Sequence, residues 1–388
     1  MLEKMKPPLR LDRTTTTPLD PRVAEAMRPW LEASASIPAS PGARGRAARE
    51  ALESARASVA RLLGAGPEEI LFTSSATESN NLALKGIASA SPRPGRLLAT
   101  STEHISVLHP LRTLERQGHR VILLPVDPQG RLDPQTLRRE LAAGALLLSV
   151  AHASGEIGTV QDIPLLAGLA REAGVPFHCD ATLGLGSLPF PAPPVGPDLV
   201  SLTAHLLGGP PGAAALRVRS GLRLRPLIEG GLQEGGLRAG TESIALLAGW
   251  GVAADIARNE AASGAPAARA AALGFRERLE ELLPDARLTG APEHRLPGHV
   301  SLCLKGVEAE AMLQGLEEEG IEAASGSACT TEAGKPSHVL LAIGVEPLEA
   351  RGALTFAFGP DHGPADGRRA AETLARVVQR LRSLSPFA

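Results

Sequence analysis

The chain has 388 residues and a formal net charge of -2, a balance that leaves no electrostatic footprint for nucleic acid or an anionic membrane. Hydrophobic residues make up 43%, aromatic residues only 2%, and tyrosine is absent, so a sizeable core has to be packed from aliphatic side chains. No apolar run approaches a membrane span, "MLEKMKPPLRLD" lacks the apolar stretch of a secretory signal, and Cys179, Cys303 and Cys329 show neither metal-type spacing nor an even disulfide set, which points to a reducing cytoplasm.

In chain order, "RGRAAREALESARASVARLLGA" (44–65) carries Ala and Leu at helical spacing. "EILFTS" (69–74) reads as a strand, and "TESNNLALKGIA" (77–88) as a helix opened by a capping box from Thr77 to Asn80. "RLLATS" (96–101), "RVILLPVD" (120–127), "ALLLSVAHA" (145–153), "PFHCDA" (176–181) and "DLVSLTA" (198–204) are short, continuously apolar runs, as buried parallel strands are. "SVLHPLRTLERQG" and "DIPLLAGLAREAG" read as helices between them, each ending at a glycine. This alternation predicts an α/β fold whose mainly parallel sheet is covered by helices on both faces.

Beyond about residue 255 the texture changes. "GFRERLEELLPDARLTG", "HVSLCLKG", "AEAMLQGLEEEGIEA", "GALTFAFG" and a helix from about Gly367 predict a smaller α+β domain. "NEAASGAPAARAAALG" (259–274) predicts a helix joining the two parts. The expected division is a large domain over 15–255 and a small domain over 256–388, which also takes segment 1–14 and carries the Cys329 loop.

Ligands of such sheets sit outside the carboxyl ends of the strands. Those ends carry Thr73 to Thr77, Thr102 to His104, His152 to Glu156, Asp180, and Thr203 to His205, which predicts one shared pocket. "TSSATESNN" suits an anion at a helix N-terminus, and equally an ordinary capped helix. Asp180, ending a buried strand, needs a cationic partner or several donors; a protonated cofactor nitrogen and a helix cap both satisfy that. Cys179 faces away from it by strand alternation. Arg238 and Thr241 lie in the glycine-rich "GGLQEGGLRAGTES", within the scope of a phosphate, and Arg351 suits a carboxylate, although each alone reads as a surface or structural residue as well. Cys329 stands among Ser, Thr, Glu and Lys in "SGSACTTEAGKPSH", where an exposed thiol reads as chemistry.

As a set, "LDRTTTTPLDPRVAEAM", "FTSSATESNNLALKG", "TEHISV", "EIGTVQDI", "GGLQEGGLRAGTES" and "SGSACTT...KPSHVLLAIG" resemble the cysteine desulfurases, pyridoxal-phosphate enzymes of the class V aminotransferase group with the fold type I architecture. The resemblance implies a dimer with its pocket at the interface. It implies that Ala76, Thr77, Thr203 and His205 hold the cofactor phosphate, joined by Thr241 of a partner subunit. His104 would stack on the ring, Asp180 would pair with its nitrogen, Arg351 would take the substrate carboxylate, and Cys329 would accept sulfur as a persulfide.

The departures from that family fall together. Where it places a Schiff-base lysine after the histidine, this chain has Leu206. Leu183 replaces a glutamine and Gly155 an asparagine near the cofactor's phenolic oxygen; Ser75 stands in the phosphate turn, "DRTTTT" departs from "DNNATT", and Gly42 follows "IPASP" where a histidine is expected. Lys85, Lys305 and Lys335 read as lying away from that strand end. Three readings follow: a desulfurase-like protein of sulfur or iron–sulfur metabolism without lysine chemistry, acting through Cys329 as persulfide carrier, cluster ligand or partner subunit; an enzyme holding pyridoxal phosphate or its amine form non-covalently, with His104 or His205 handling protons; and a scaffold that uses no small molecule. The expected partners are a second copy or a desulfurase paralogue, and an iron–sulfur scaffold or sulfur-acceptor protein.

Overall fold

A computed structural model describes residues 8–32, 37–326 and 336–384. The chain opens with strand β1 (Leu9–Arg10) and helices α1 (Pro21–Glu32) and α2 (Gly42–Leu63). Then β2 (Ile70–Thr73), α3 (Ala76–Ala90), β3 (Arg96–Thr100), α4 (Ile105–Arg116), β4 (Arg120–Leu124), α5 (Pro134–Ala142), β5 (Leu147–Ser149), α6 (Ile163–Glu172), β6 (Phe177–Asp180), β7 (Leu199–Thr203) and β8 (Ala214–Val218) build a seven-stranded sheet and its cover. The remainder runs α7 (Ile244–Leu282), β9 (Arg287–Leu288), β10 (His299–Cys303), α8 (Ala309–Glu318), β11 (Ile321–Glu322), α9 (His338–Ala342), α10 (Pro347–Ala350), β12 (Ala353–Ala357) and α11 (Pro364–Leu384).

The large sheet has the order β2-β8-β7-β6-β5-β3-β4, and β8 alone runs against the others. Every residue of β2, β5, β6 and β7 is buried, as continuously apolar strands require when helices cover both faces. One face packs on α2, α6 and the start of α7 through Leu52, Val59, Leu166 and Trp250; the other packs on α3 and α4 through Leu82, Leu84 and Leu111. A three-stranded antiparallel sheet, β12-β10-β9, shares a separate core with α7, α8 and α11, built on Phe275, Leu302, Met312, Phe356 and Leu374. Leu9 pairs with Ile321, so β1 lies parallel to β11 and Leu9 and Leu11 join that same core.

Two differences from the sequence reading concern the frame around the sheet. β8 was not expected, because its run of alanines carries no β-branched signal until Val218; burial between β2 and β7 decides its conformation instead. The joining helix expected over 259–274 is the middle of α7, a single helix of 39 residues with Pro266 inside it, and the expected boundary at 255 falls within that helix. Among the described residues no helix is long and apolar enough to cross a membrane.

Candidate functional site

The carboxyl ends of the parallel strands open on one edge of the large sheet, and a cavity of about 320 Å³ lies there. Ser75 to Thr77 enter it after β2, Glu103 and His104 after β3, Ser154 to Glu156 after β5, Asp180 at the end of β6, and His205 and Leu206 after β7. Ser325, Gly326, His338 and Thr355 close the opposite side. The shared pocket expected from the strand ends is therefore present.

One corner of the cavity is the start of α3. Ser75 is the N-cap, its Oγ accepting from the Glu78 N–H at 3.1 Å. The expected capping box from Thr77 to Asn80 does not form, because the cap lies two residues earlier. Ala76 and Thr77 then occupy the first turn, where backbone N–H groups have no acceptor within the helix and suit an anion. Arg238 meets this first turn by donating its Nε to Glu78 at 2.9 Å and does not line the cavity. Burial pushes the Glu78 carboxyl up, but Arg238 and Ser74 outweigh it and hold the group below its ordinary value.

Asn80 lies fully buried beneath the cavity. Its Nδ2 donates to Asp180 Oδ2 at 2.7 Å and to Ser106 Oγ at 2.9 Å. The Thr182 N–H donates to the other Asp180 oxygen at 3.0 Å. Ser106 Oγ lies 2.7 Å from His104 Nδ1, and the Ser106 N–H donates to that same nitrogen at 3.1 Å. With Nδ1 accepting from a backbone donor, neutral His104 carries its proton on Nε2 and offers a donor rather than a base. His178, one residue pair below Asp180, is clamped between Ser149 and Ser201 at 2.9 Å each.

The side of the cavity beyond His205 is apolar. Leu183 and Leu206 both line it, and no lysine does so among the described residues. A Cβ built on Gly155 would stand 2.8 Å from Leu183 Cδ1, so Leu183 fills the space that a side chain at 155 would need. Two acids complete the lining. Burial raises the Glu103 carboxyl to about 8, against bonds from Thr100 and the Ala151 N–H to Oε1, while Oε2 is buried with no partner among the described residues. Burial likewise raises Glu156 to about 7, although Ser337 Oγ donates to it.

Of the residues singled out in the sequence, Ala76, Thr77, His104, Asp180 and His205 line this one cavity. Three others do not. Thr203 is buried beneath it and reaches it only through His205, its Oγ1 lying 2.8 Å from His205 Nδ1. Thr241 is exposed in the loop before α7. Arg351, the C-cap of α10, lies 3.4 Å from Glu308 and is not among the cavity's lining residues. Cys329 and Lys335 lie outside the described residues. Cys179 and Cys303 are buried, and burial pushes both thiols up, Cys303 to about 12. The residues that sequence reasoning passed over are Asn80, buried beneath the cavity, and Ser106 in its lining; their polar side chains on otherwise apolar helix faces were the available signal, whereas Glu103 and Glu156 fell within the strand-end stretches already assigned to the pocket. Among the described residues no cluster of three or more His, Cys, Asp or Glu is placed to hold a metal ion.

A family profile described as aminotransferase class-V matches residues 10–360. A cysteine desulfurase IscS of Dictyoglomus turgidum is 39% identical over 385 residues, covering 99% of this chain and 98% of that protein. A cysteine desulfurase IscS of Anaeromyxobacter dehalogenans is 40% identical over 387 residues, covering 99% and 95%. A solved structure of a NifS-like protein superposes with a TM-score of 0.90 at 28% identity, covering 96% of this chain and 100% of that one. The α/β architecture is thus that of the fold type I group.

Proposed function

The chain belongs to the aminotransferase class-V family, and we propose that within it this protein serves sulfur or iron–sulfur metabolism as a desulfurase-like chain without lysine-linked cofactor chemistry. The observation that carries this reading is Leu206, next to His205 on the cavity wall, with Leu183 beside it and no lysine among the described lining residues. Leucine can neither attach a carbonyl compound nor move a proton. Cys329 is then the working group. A persulfide donor passes its outer sulfur to the Cys329 thiolate, the donor's thiolate leaves, and no net oxidation occurs. Cluster ligation and service as a partner subunit remain forms of the same reading. Exposure of Thr241 away from its own cavity suits a dimer, with a second copy or with a desulfurase paralogue, and a sulfur-acceptor or iron–sulfur scaffold protein is the expected recipient.

The cavity retains part of the fit for pyridoxal phosphate. When bound, that group supplies an electron sink for charge developing at an amino acid's α-carbon. The first turn of α3, with Ala76 and Thr77, and His205 would hold its phosphate, while Asp180 would face its ring nitrogen. The side with Leu183, Leu206 and Gly155 offers no partner for the rest. This supports non-covalent retention as a second reading, in which His104 donates from Nε2. The test is to supply a small-molecule persulfide and look for one added sulfur on Cys329 by peptide mass spectrometry. Sulfur on Cys329 in the native chain, with none taken up by Cys329→Ser, is expected. An unmodified Cys329 under conditions that load an ordinary desulfurase would overturn the reading.

A further inference from the structure

The glycine-rich loop 230–240 grips the chain on both sides of the turn that joins β2 to α3, Thr73 to Thr77. Before the turn, β2 is an edge strand of the large sheet. The Phe72 N–H donates to Glu234 Oε2 at 2.8 Å. Arg56 donates to the two Glu234 oxygens at 2.7 and 2.9 Å, and to the Ile70 carbonyl at 2.8 Å. The Arg56–Glu234 pair thus takes two backbone groups that a further strand would take. Its side chains are only 11% and 3% exposed, so losing one leaves the other as a buried, unpaired charge. After the turn, Arg238 Nε donates to Glu78 Oε1 at 2.9 Å. The other Glu78 oxygen accepts from the Ser74 N–H at 2.9 Å and from Ser74 Oγ at 2.5 Å.

The loop acts as one piece. The Ala239 N–H donates to the Ile228 carbonyl at 3.2 Å, and the Gly240 N–H to Gln233 Oε1 at 3.2 Å. Its backbone is bent to make the first grip. Glu234 has φ of 49°, the one non-glycine residue in the left-handed region among the described residues, and Gly235 and Gly236 follow it there. Glycine takes that conformation at no steric cost, so the carboxylate, and not the turn, accounts for a glutamate at 234.

We propose that Glu234 and Arg238 are positioning residues for the corner of the cavity at the start of α3, bracing from outside the turn whose Ala76 and Thr77 line it. This role rests on the reading of that corner as a phosphate holder, while the brace itself stands on the bonds alone. Charge fits the role as well. Glu78 puts a carboxylate into the same first turn that an anion would use, and the Arg238 guanidinium offsets it. Removing Arg238 therefore both loosens the turn and leaves a negative charge uncompensated beside the ligand.

The test uses the full chain and two readouts. Amide hydrogen exchange without ligand is followed at Ser74, Glu78 and Ser79, whose N–H groups donate to Glu78, to Ser75 Oγ and to the Ser75 carbonyl and not to the loop. Binding of pyridoxine 5′-phosphate, which carries the phosphate but no carbonyl, is titrated alongside. Glu234→Ala and Arg238→Ala are each expected to speed that exchange and to weaken that binding about tenfold, on the scale of one hydrogen bond to a charged group, with exchange in β10 unchanged. Glu234→Gln, whose amide oxygen still accepts from Phe72, is expected to stay within about threefold of the native chain on both readouts. Arg238→Ala decides the matter should Glu234→Ala fail to fold. Native exchange or native affinity in both alanine variants, or equal acceleration in Glu234→Gln and Glu234→Ala, would overturn the proposal. Accelerated exchange in a protein whose native chain does not bind pyridoxine 5′-phosphate would instead sink the phosphate reading and leave the brace standing.

Discussion

The two walls of the cavity hold their side chains by different means. On the polar wall each group belongs to a bonded set: Asp180 answers to Asn80 and Thr182, His104 to Ser106, and Ser75 to Glu78. On the other wall Leu183 and Leu206 are held by packing, with Gly155 leaving the room that Leu183 takes. Changing one member of the bonded set strands buried donors, whereas changing a leucine leaves no polar group unpaired. Persistence of the polar groups is therefore what folding alone would enforce. The apolar wall, free of that constraint, is where the chemistry of the site can be read.

Four measurements sharpen or break this contrast. The largest effect concerns the buried acids. Glu103 and Glu156 sit raised to about 8 and about 7 in the fold, well above an unfolded glutamate at about 4.3. The folded chain thus binds more protons between those values. Its stability from these groups is full below about pH 4.3, falls by up to about 1.4 kcal/mol per pH unit for each group as pH rises from there, and is fully lost past about pH 7 for Glu156 and 8 for Glu103. Denaturant midpoints are expected to fall across that window, and Glu103→Gln and Glu156→Gln each to flatten the fall. A slope unchanged in both variants would contradict the burial of these acids.

Asp180→Ala comes next. It strands Asn80 Nδ2 and the Thr182 N–H, at about 1–3 kcal/mol for each donor left unpaired, and calorimetric unfolding should show that loss without any cofactor added. If Asp180 mattered only to a ligand, stability of the ligand-free chain would not move. On the opposite wall, Gly155→Ala is expected to cost about 1–3 kcal/mol through overpacking against Leu183. Leu183→Ala in the same chain should recover most of it, a non-additive pair; additive losses would separate the two positions. The smallest effect is Ser75→Ala, about 1 kcal/mol for a lost cap, whereas Thr77→Ala should leave stability nearly unchanged. The reverse order would restore the capping box read from the sequence.

The fold was legible where burial and periodicity coincide. β2, β3, β6 and β7 sit within a few residues of their apolar runs because strands covered on both faces need continuous apolar sequence. β8 was hidden because alanine has little strand preference of its own and takes its conformation from β2 and β7. The cap of α3 is Ser75 rather than Thr77, and Asn80 bonds Asp180, a residue 100 positions away, a partnership that no local pattern reports. The strand-end residues of the cavity could be read directly from the ends of apolar runs. Glu103 and Glu156 were among them, but their burial was not legible, since an acid in a strand-end loop looks solvated until the surrounding walls are in place. Arg238 and Arg351, read in sequence as candidates for a phosphate and a carboxylate, lie in the fold against Glu78 and Glu308.

The claim that this cavity cannot attach its family's cofactor is tested most directly by adding pyridoxal phosphate to the purified full chain, recording the absorbance spectrum, reducing with borohydride and mapping every lysine by peptide mass. The account predicts the spectrum of a free or non-covalently held carbonyl compound and no pyridoxyl group on Lys85, Lys305, Lys335 or any other lysine. A stoichiometric pyridoxyl group on one lysine, abolished when that residue alone is changed to alanine, would contradict it.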